Sequence, residues 1–219
     1  MGQPEDVVRL AYDTVADDYA RLLPDTQAEH PADLRMLDAF AELVRTAGAV
    51  LDAGCGAGRI SRYLTDRGCT VRGVDLSPGM VAAGLLAHPD LDLSVATLAD
   101  LPFEDATFAG ALVWYSTIHT PDAQLSDVLS ELVRVVRPGG HLLVGFQAGS
   151  GAVDLAESYG RHGHDVVLSR YLRDPDRMSS LLGAAGADEV SRLVRPPEQP
   201  WEGEDQAVIL ARRRPDPPA

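Results

Sequence analysis

The sequence predicts an α/β protein built on one parallel sheet with helices on both faces. Three observations carry that expectation. The first is the run Val50-Leu51-Asp52-Ala53-Gly54-Cys55-Gly56-Ala57-Gly58, a short apolar segment that closes in a glycine turn. A helical segment follows from Arg59 to Arg67, and then a second apolar run that ends on Asp75. The order of strand, glycine turn, helix and acid-terminated strand is half of a nucleoside-binding βαβ unit. Glycines let the backbone approach a ligand, the helix start offers free N–H groups, and a carboxylate after the second strand can accept from ribose hydroxyls. The second observation is the strand–helix alternation that continues to residue 146, the rhythm of a parallel sheet. The third is size: 219 residues, 45% of them apolar, suit one domain with a substantial core, and no internal repeat divides them.

In chain order, residues 5–23 carry Val8, Ala11, Tyr12, Val15, Ala16 and Tyr19 at helical spacing, and Pro24 ends the segment. Residues 31–47 form a second helix, with Leu34, Leu37, Phe40, Ala41 and Val44 on one face. Strands are expected at 49–53, 70–75, 92–96, 109–114 and 141–146, with helices at 58–67, 78–87 and 122–137 between them. Asp122, just after Pro121, reads as an N-cap, and Pro138-Gly139-Gly140 as a helix stop and turn. Residues 147–171, rich in Gly, Ser, His and Tyr, read as a long irregular loop at the ligand end of the fifth strand. A helix over 174–185, capped by Asp174 with Pro175 in first position, precedes two closing strands at 188–195 and 206–212. The Pro-rich tail 213–219 reads as disordered.

The glycine spacing narrows the ligand. A dinucleotide fingerprint needs G-x-G-x-x-G, but Arg59 stands where its third glycine would be, and the turn is G-x-G-x-G preceded by Asp52. This turn, together with Gly73-Val74-Asp75-Leu76-Ser77-Pro78-Gly79-Met80, Leu101-Pro102-Phe103-Glu104-Asp105-Ala106-Thr107-Phe108 and Leu132-Val133-Arg134-Val135-Val136-Arg137-Pro138-Gly139-Gly140, resembles the class I S-adenosylmethionine-dependent methyltransferases. The resemblance covers roughly residues 7 to 212. It implies a Rossmann-like, doubly wound sheet of about seven strands, mostly parallel with an antiparallel last strand, and an N-terminal helical lid. It divides a single domain, 1–212, into lid helices (1–47), a cofactor-binding core (48–146) and a substrate-side loop with closing strands (147–212). The implied activity is methyl transfer to a small-molecule acceptor through O, N or C, with secondary metabolism as one setting.

The resemblance also distributes the site. Gly54, Gly56 and Gly58 meet the methionine part of the cofactor, Asp75 holds the ribose, and Cys55 and Leu76 count among the cofactor-binding residues. Asp52 orders the turn or faces a cationic group of the ligand. Met80 is either core or contact. Many members carry an acid where Thr97 falls, bonded to the adenine amino group, and this chain departs from that pattern. The Thr97 hydroxyl and the backbone at Leu98 are left to supply the contact, with Asp100 either a substitute or a turn cap. Trp114 and Tyr115, after the fourth strand, face the sulfonium or form the wall. Tyr12 and Tyr19, seven apart on one helical face, close over the cofactor or pack on the core. His119 is the candidate general base, with His162 and His164 as competitors. Arg59 binds a substrate anion or a neighbouring carboxylate.

Composition excludes other classes. A net charge of −14 repels nucleic-acid backbones. All 19 basic residues are arginine. Two cysteines make no disulfide framework, the N-terminus shows no secretory pattern, and no stretch approaches a membrane span, so a reduced, cytoplasmic setting is expected. The six histidines lack metal-ligand spacing, so no metal site is expected. Oligomeric state is not legible. Two rivals remain: a protein that binds S-adenosylmethionine for regulation or cyclisation without transferring methyl, and, against the glycine spacing, a nicotinamide oxidoreductase.

Overall fold

The computed structural model describes residues 3–216. Seven strands form the main sheet in the order β3-β2-β1-β4-β5-β9-β8. They are β1 (Val50–Ala53), β2 (Val71–Asp75), β3 (Asp92–Val95), β4 (Phe108–Trp114), β5 (Val136–Gln147), β8 (Ala187–Arg195) and β9 (Gln206–Arg213). Pairing is parallel from β3 through β5, and β9 runs antiparallel to both β5 and β8. The reversal of strand order on either side of β1 opens a crevice at the carboxyl ends of β1 and β4, the place where doubly wound sheets take ligands.

The helices cover the two faces as their apolar stripes require. On one face α5 (Asp122–Val135) and α7 (Pro175–Ala184) bury Leu125, Leu129, Leu132, Met178 and Leu182 against the sheet. On the other, α2 (Pro31–Val44) and α3 (Arg59–Asp66) bury Leu37, Phe40, Val44, Ile60 and Leu64. The central strand β4 is buried throughout and separates the two layers. The first helix, α1 (Glu5–Leu22), lies over α4 (Pro78–Ala87), and the α1 side chains Ala11 and Val15 pack on Val166 and Leu168.

Four expectations need correction. The Pro138-Gly139-Gly140 run lies inside β5, not in a turn after a helix. Val136 already pairs with Phe108, and the ladder then shifts register before Gly110 meets His141, so a bulge with Gly139 at φ +77° absorbs the run. Pro121, not Asp122, caps α5, because the Asp122 carboxylate turns away to pair with Arg173 and Arg177. Residues 147–171 are not one irregular loop: β6 (Ala152–Asp154) and β7 (Ser169–Tyr171) pair antiparallel, with the short helix α6 (Ala156–Gly160) between them. In the expected tail, Arg213 is the last residue of β9 and Arg214 pairs with Asp188, while 217–219 lie outside the described residues.

Candidate active site

The site begins where β1 ends. The chain leaves Ala53 through Gly54 at φ +81° and enters α3 from Gly58 at φ +80°. Gly54 is required twice over, by that left-handed backbone and because a Cβ there would lie 2.1 Å from the Ser116 Cβ. Ser116 is brought so close because Tyr115, ahead of it, also takes a left-handed conformation, φ +55°, unusual for an aromatic residue and typical of a constrained functional turn. The first and fourth strand ends are thereby pressed together at the crevice.

A cavity of about 850 Å³ opens there. That volume lies in the upper part of the range for small-molecule sites, about 300–1,000 Å³. Gly54, Gly56, Asp75, Leu76, Met80, Thr97, Leu98, Trp114, Tyr115, Tyr12, Tyr19 and His119 all line it, together with Arg59, His162 and His164. Three expected cofactor residues stand back from it. Asp52 is buried beneath the turn, where its Oδ2 accepts from Ser61 Oγ at 2.6 Å, and burial pushes its carboxyl up to about 6 against the pull of that bond. Cys55 is buried among Val81, Leu91 and Leu93, and burial raises its thiol. Gly58 packs near Leu91 and Leu93 at the helix start. The three shape the turn from behind. Asp100 lies beyond the rim, bridged to Thr97 through the backbone.

Asp75 faces the cavity with spare capacity. Its Oδ2 accepts from the Gly56 N–H at 2.8 Å and its Oδ1 from the Ser77 N–H at 2.9 Å. A carboxylate has about four lone-pair sites, so roughly two remain for ligand hydroxyls. Burial raises its pKa, opposed by the Ser77 and Gly56 amides. A left-handed glycine cradle beside a carboxylate with free lone pairs fits the methionine and ribose parts of S-adenosylmethionine. The sheet-edge acid expected at the adenine is absent, and Thr97 donates instead to Glu5 from α1, 2.7 Å away.

His119 is held at both nitrogens. Nδ1 lies 2.8 Å from the Ser169 carbonyl and Nε2 lies 2.8 Å from the Tyr12 hydroxyl. A carbonyl only accepts, so the proton sits on Nδ1 and Tyr12 donates to Nε2. Burial pushes the imidazole down to about 4, so it is neutral at pH 7. As an isolated base it is poorly matched to neutral pH, contrary to the expectation for a proton acceptor.

The far wall comes from residues that no motif marked. Tyr115 donates to Gln206 Oε1 at 2.9 Å, Gln206 donates to the Glu204 carbonyl, and the Glu204 carboxylate pairs with Arg170. Gln147, the cross-strand partner of Gln206, and Arg170 each leave a solvent-inaccessible atom without a partner, Oε1 and Nε. Arg195 joins Asp33 of α2 to Glu202, which accepts from the N–H groups of Glu198 and Gln199 and so fixes the loop carrying Trp201 to the cavity. Glu29 pairs with Arg59 and accepts from Trp114 Nε1 at 3.2 Å, so the structure shows Arg59 on a neighbouring carboxylate. Of the residues that no motif marked, Gln147 and Arg170 fall in the 147–171 segment expected at the ligand end of the fifth strand, while Gln206, Glu204 and Glu202 carry no site signal.

The fold and this cradle define a nucleoside-cofactor enzyme of the methyltransferase type. The profile of a methyltransferase-domain family matches residues 50–140. The chain is 31% identical over 184 residues to a malonyl-[acyl-carrier protein] O-methyltransferase of Enterobacter lignolyticus, an alignment covering 83% of the chain and 72% of that protein. It spans less than half of two other curated relatives that it matches. Among solved structures it resembles the 1,6-didemethyltoxoflavin-N1-methyltransferase of Burkholderia thailandensis with bound S-adenosylhomocysteine (TM-score 0.71, 21% identity, 98% of this chain and 92% of that one). It also resembles the [4+2]-cyclase SpnF (TM-score 0.75, 17% identity, 98% of both chains). The chain belongs to the class I S-adenosylmethionine-dependent methyltransferases. The nicotinamide reading is thereby set aside.

Proposed function

We propose that this protein transfers the methyl group of S-adenosylmethionine to a neutral small molecule that carries a hydroxyl or amide edge. The supporting observation is the charge of the shared cavity. Seven carboxylates line it against two guanidinium groups, and each of those is already paired, Arg59 with Glu29 and Arg170 with Glu204. The Enterobacter relative is named for a malonyl acceptor. Among the described residues lining this cavity, each guanidinium already has a carboxylate partner, and what is left over on Arg170 is a single N–H, at Nε. Placing an acceptor carboxylate there adds repulsion of about 4 kcal/mol per charge at 4 Å for an effective dielectric near 20. The unpartnered Gln147 Oε1 wants a donor and the unpartnered Arg170 Nε wants an acceptor, and a hydroxyl or an amide offers both.

When bound, S-adenosylmethionine supplies an activated methyl on a positive sulfur, so alignment is the main requirement of the protein. Gly54 and Gly56 admit the ligand close to the backbone, and Asp75 accepts from hydroxyls. The Trp114 and Tyr115 rings, edge to face with centroids 5.3 Å apart, wall the junction between the two halves and exclude water. His119 acts as a positioning residue: its Nε2 lone pair fixes the Tyr12 hydroxyl over the cavity. The protein is read as cytoplasmic, where its two free cysteines stay reduced. Among the described residues, no helix is long and apolar enough to cross a membrane.

The test is release of S-adenosylhomocysteine with paired acceptors, a phenol or lactam against its carboxylate analogue. Turnover confined to the neutral member is expected. Turnover of the carboxylate alone overturns the acceptor class. A second reading, cofactor binding without methyl transfer, is favoured by the likeness to a cyclase and by the engaged His119. Micromolar binding of S-adenosylhomocysteine with no methylation of any acceptor would establish it.

A further inference from the structure

One carboxylate lining the cavity, Glu5, is paired with no cation among the described residues. Of the seven that line the cavity, five pair with a guanidinium or an imidazole, and Asp75 takes two backbone N–H groups. Glu5, among the described residues, has neither. Its bond is from the Thr97 hydroxyl to Oε1, 2.7 Å long and spanning 92 residues of sequence. Thr97 Oγ1 itself accepts from the Ala99 N–H at 3.1 Å, which turns its proton toward Glu5. The carboxylate is therefore aimed, although no cation compensates it.

Its position is set by the sheet. Asp75 pairs with Val95 in the parallel β2–β3 ladder, and the Ala96 N–H donates to the Asp75 carbonyl at 3.0 Å. Thr97 follows one residue later, so Asp75 and Thr97 stand side by side at the crevice edge. Leu76 and Leu98, next to each of them, line the same cavity and offer apolar surface for a flat ring. A nucleoside whose ribose hydroxyls reach Asp75 carries its base toward Leu98, Thr97 and Glu5.

We propose that Glu5 accepts a hydrogen bond from the exocyclic amino group of the cofactor's adenine, so that α1, and not the sheet edge, supplies the base-reading carboxylate. This rests on the cofactor reading above. An amino group on a purine is a pure donor, and a carboxylate with about three vacant lone pairs is its strongest partner. Cofactor affinity then depends on α1 being docked, because the contact leaves with the helix.

A plainer role for Glu5 is to stabilise the N-terminus of α1, where it is the first helical residue. That role affects every ligand alike, so a ratio of affinities separates the two. The experiment is calorimetric titration of S-adenosylhomocysteine and of its 6-deamino analogue, which bears hydrogen at C6 of the purine. The proteins are the wild type, Glu5→Ala, Glu5→Gln and Asp75→Ala. The wild type is expected to prefer the amino form about tenfold, the factor that about 1.4 kcal/mol supplies. In Glu5→Ala the preference collapses to about one, Glu5→Gln lies between, and Asp75→Ala weakens both ligands equally while keeping the ratio. A ratio unchanged in Glu5→Ala, or no preference in the wild type, overturns the assignment and leaves the cofactor reading standing. A wild type that binds neither ligand overturns the cofactor reading and this inference with it. Glu5 is exposed on the first turn of α1, so its variants are expected to fold.

Discussion

Two buried groups on opposite sides of the cradle should titrate against each other as the solution is acidified. His119 is 5% exposed, and burial lowers it from an ordinary 6.5 to about 4, with Arg170 adding to the effect and the Ser169 carbonyl opposing it. Between those values the unfolded chain binds the proton and the folded chain does not, so stability is lost as pH falls through this window. The full shift is worth about 3 kcal/mol, and from pH 7 to 4.5 the loss is about 2.4 kcal/mol. Asp52 is 1% exposed, and burial raises it from an ordinary 3.8 to about 6. There the folded chain holds the proton first, so stability is gained over the same interval, by about 2 kcal/mol. The two contributions nearly cancel in the wild type. Urea unfolding at pH 7 and pH 4.5 of wild type, His119→Gln and Asp52→Asn separates them. On acidification, His119→Gln should gain about 2.4 kcal/mol relative to wild type and Asp52→Asn should lose about 2 kcal/mol. Variants that move in the same direction, or not at all, would refute the assigned protonation states, including the neutral Nδ1–H imidazole on which the Tyr12 contact depends.

Three further outcomes follow from the site. Gly54→Ala places a methyl group 2.1 Å from Ser116 on a left-handed backbone, a conformation that alone costs about 1–2 kcal/mol; calorimetry should show at least about a tenfold loss of S-adenosylhomocysteine affinity. Asp33→Ala removes one carboxylate from the buried Arg195 pair, for which about 3 kcal/mol is expected because Glu202 remains. In a chain of this size that lowers Tm by about 6–12 °C in a thermal scan. Gln147→Leu keeps the shape and removes the unpartnered amide, so acceptor KM should rise several-fold in steady-state assays with cofactor affinity unchanged.

The cofactor half was legible because its determinants are local. The turn from Gly54 to Gly58 is fixed by backbone sterics, Asp75 by its place at a strand end, and α4 and α7 by the caps Ser77 and Asp174 with proline in first position. Local reading failed where a longer-range partner overrode it. Pro138-Gly139-Gly140 carries every sign of a turn, but pairing with β4 on both sides of the bulge keeps it in the sheet. Asp122 looks like a cap until Arg173 and Arg177 arrive from 51 and 55 residues away. The acceptor wall could not be read at all. Arg170, Glu204, Gln206 and Arg195 are polar residues whose side chains look in sequence like solvated ones, even though two of them lie in expected strands, and it is the meeting of β7, β8, β9 and the 196–205 loop that brings them together.

The helix α1 connects what was legible with what was not. Ala11, Val15 and Ala16 are its buried side chains, Val8, Tyr12 and Tyr19 are half-buried against the same cluster, and polar ties worth about 1 kcal/mol each add to that packing. Those ties divide between the two walls of the cavity. Toward the cofactor half, Glu5 takes the Thr97 hydroxyl, and Asp13 accepts from Ser77 Oγ and the Gly79 N–H at the start of α4. Toward the acceptor half, Tyr12 donates to His119 and Asp18 meets His164. A helix tied weakly to both sides and resting on the cavity between them gains buried surface when either ligand fills the space beneath it. The Tyr12 hydroxyl is already set on His119, so a cofactor filling its side is expected to stabilise α1 as it lies, and limited proteolysis within residues 5–22 should slow when S-adenosylhomocysteine is added; unchanged cleavage would refute that coupling.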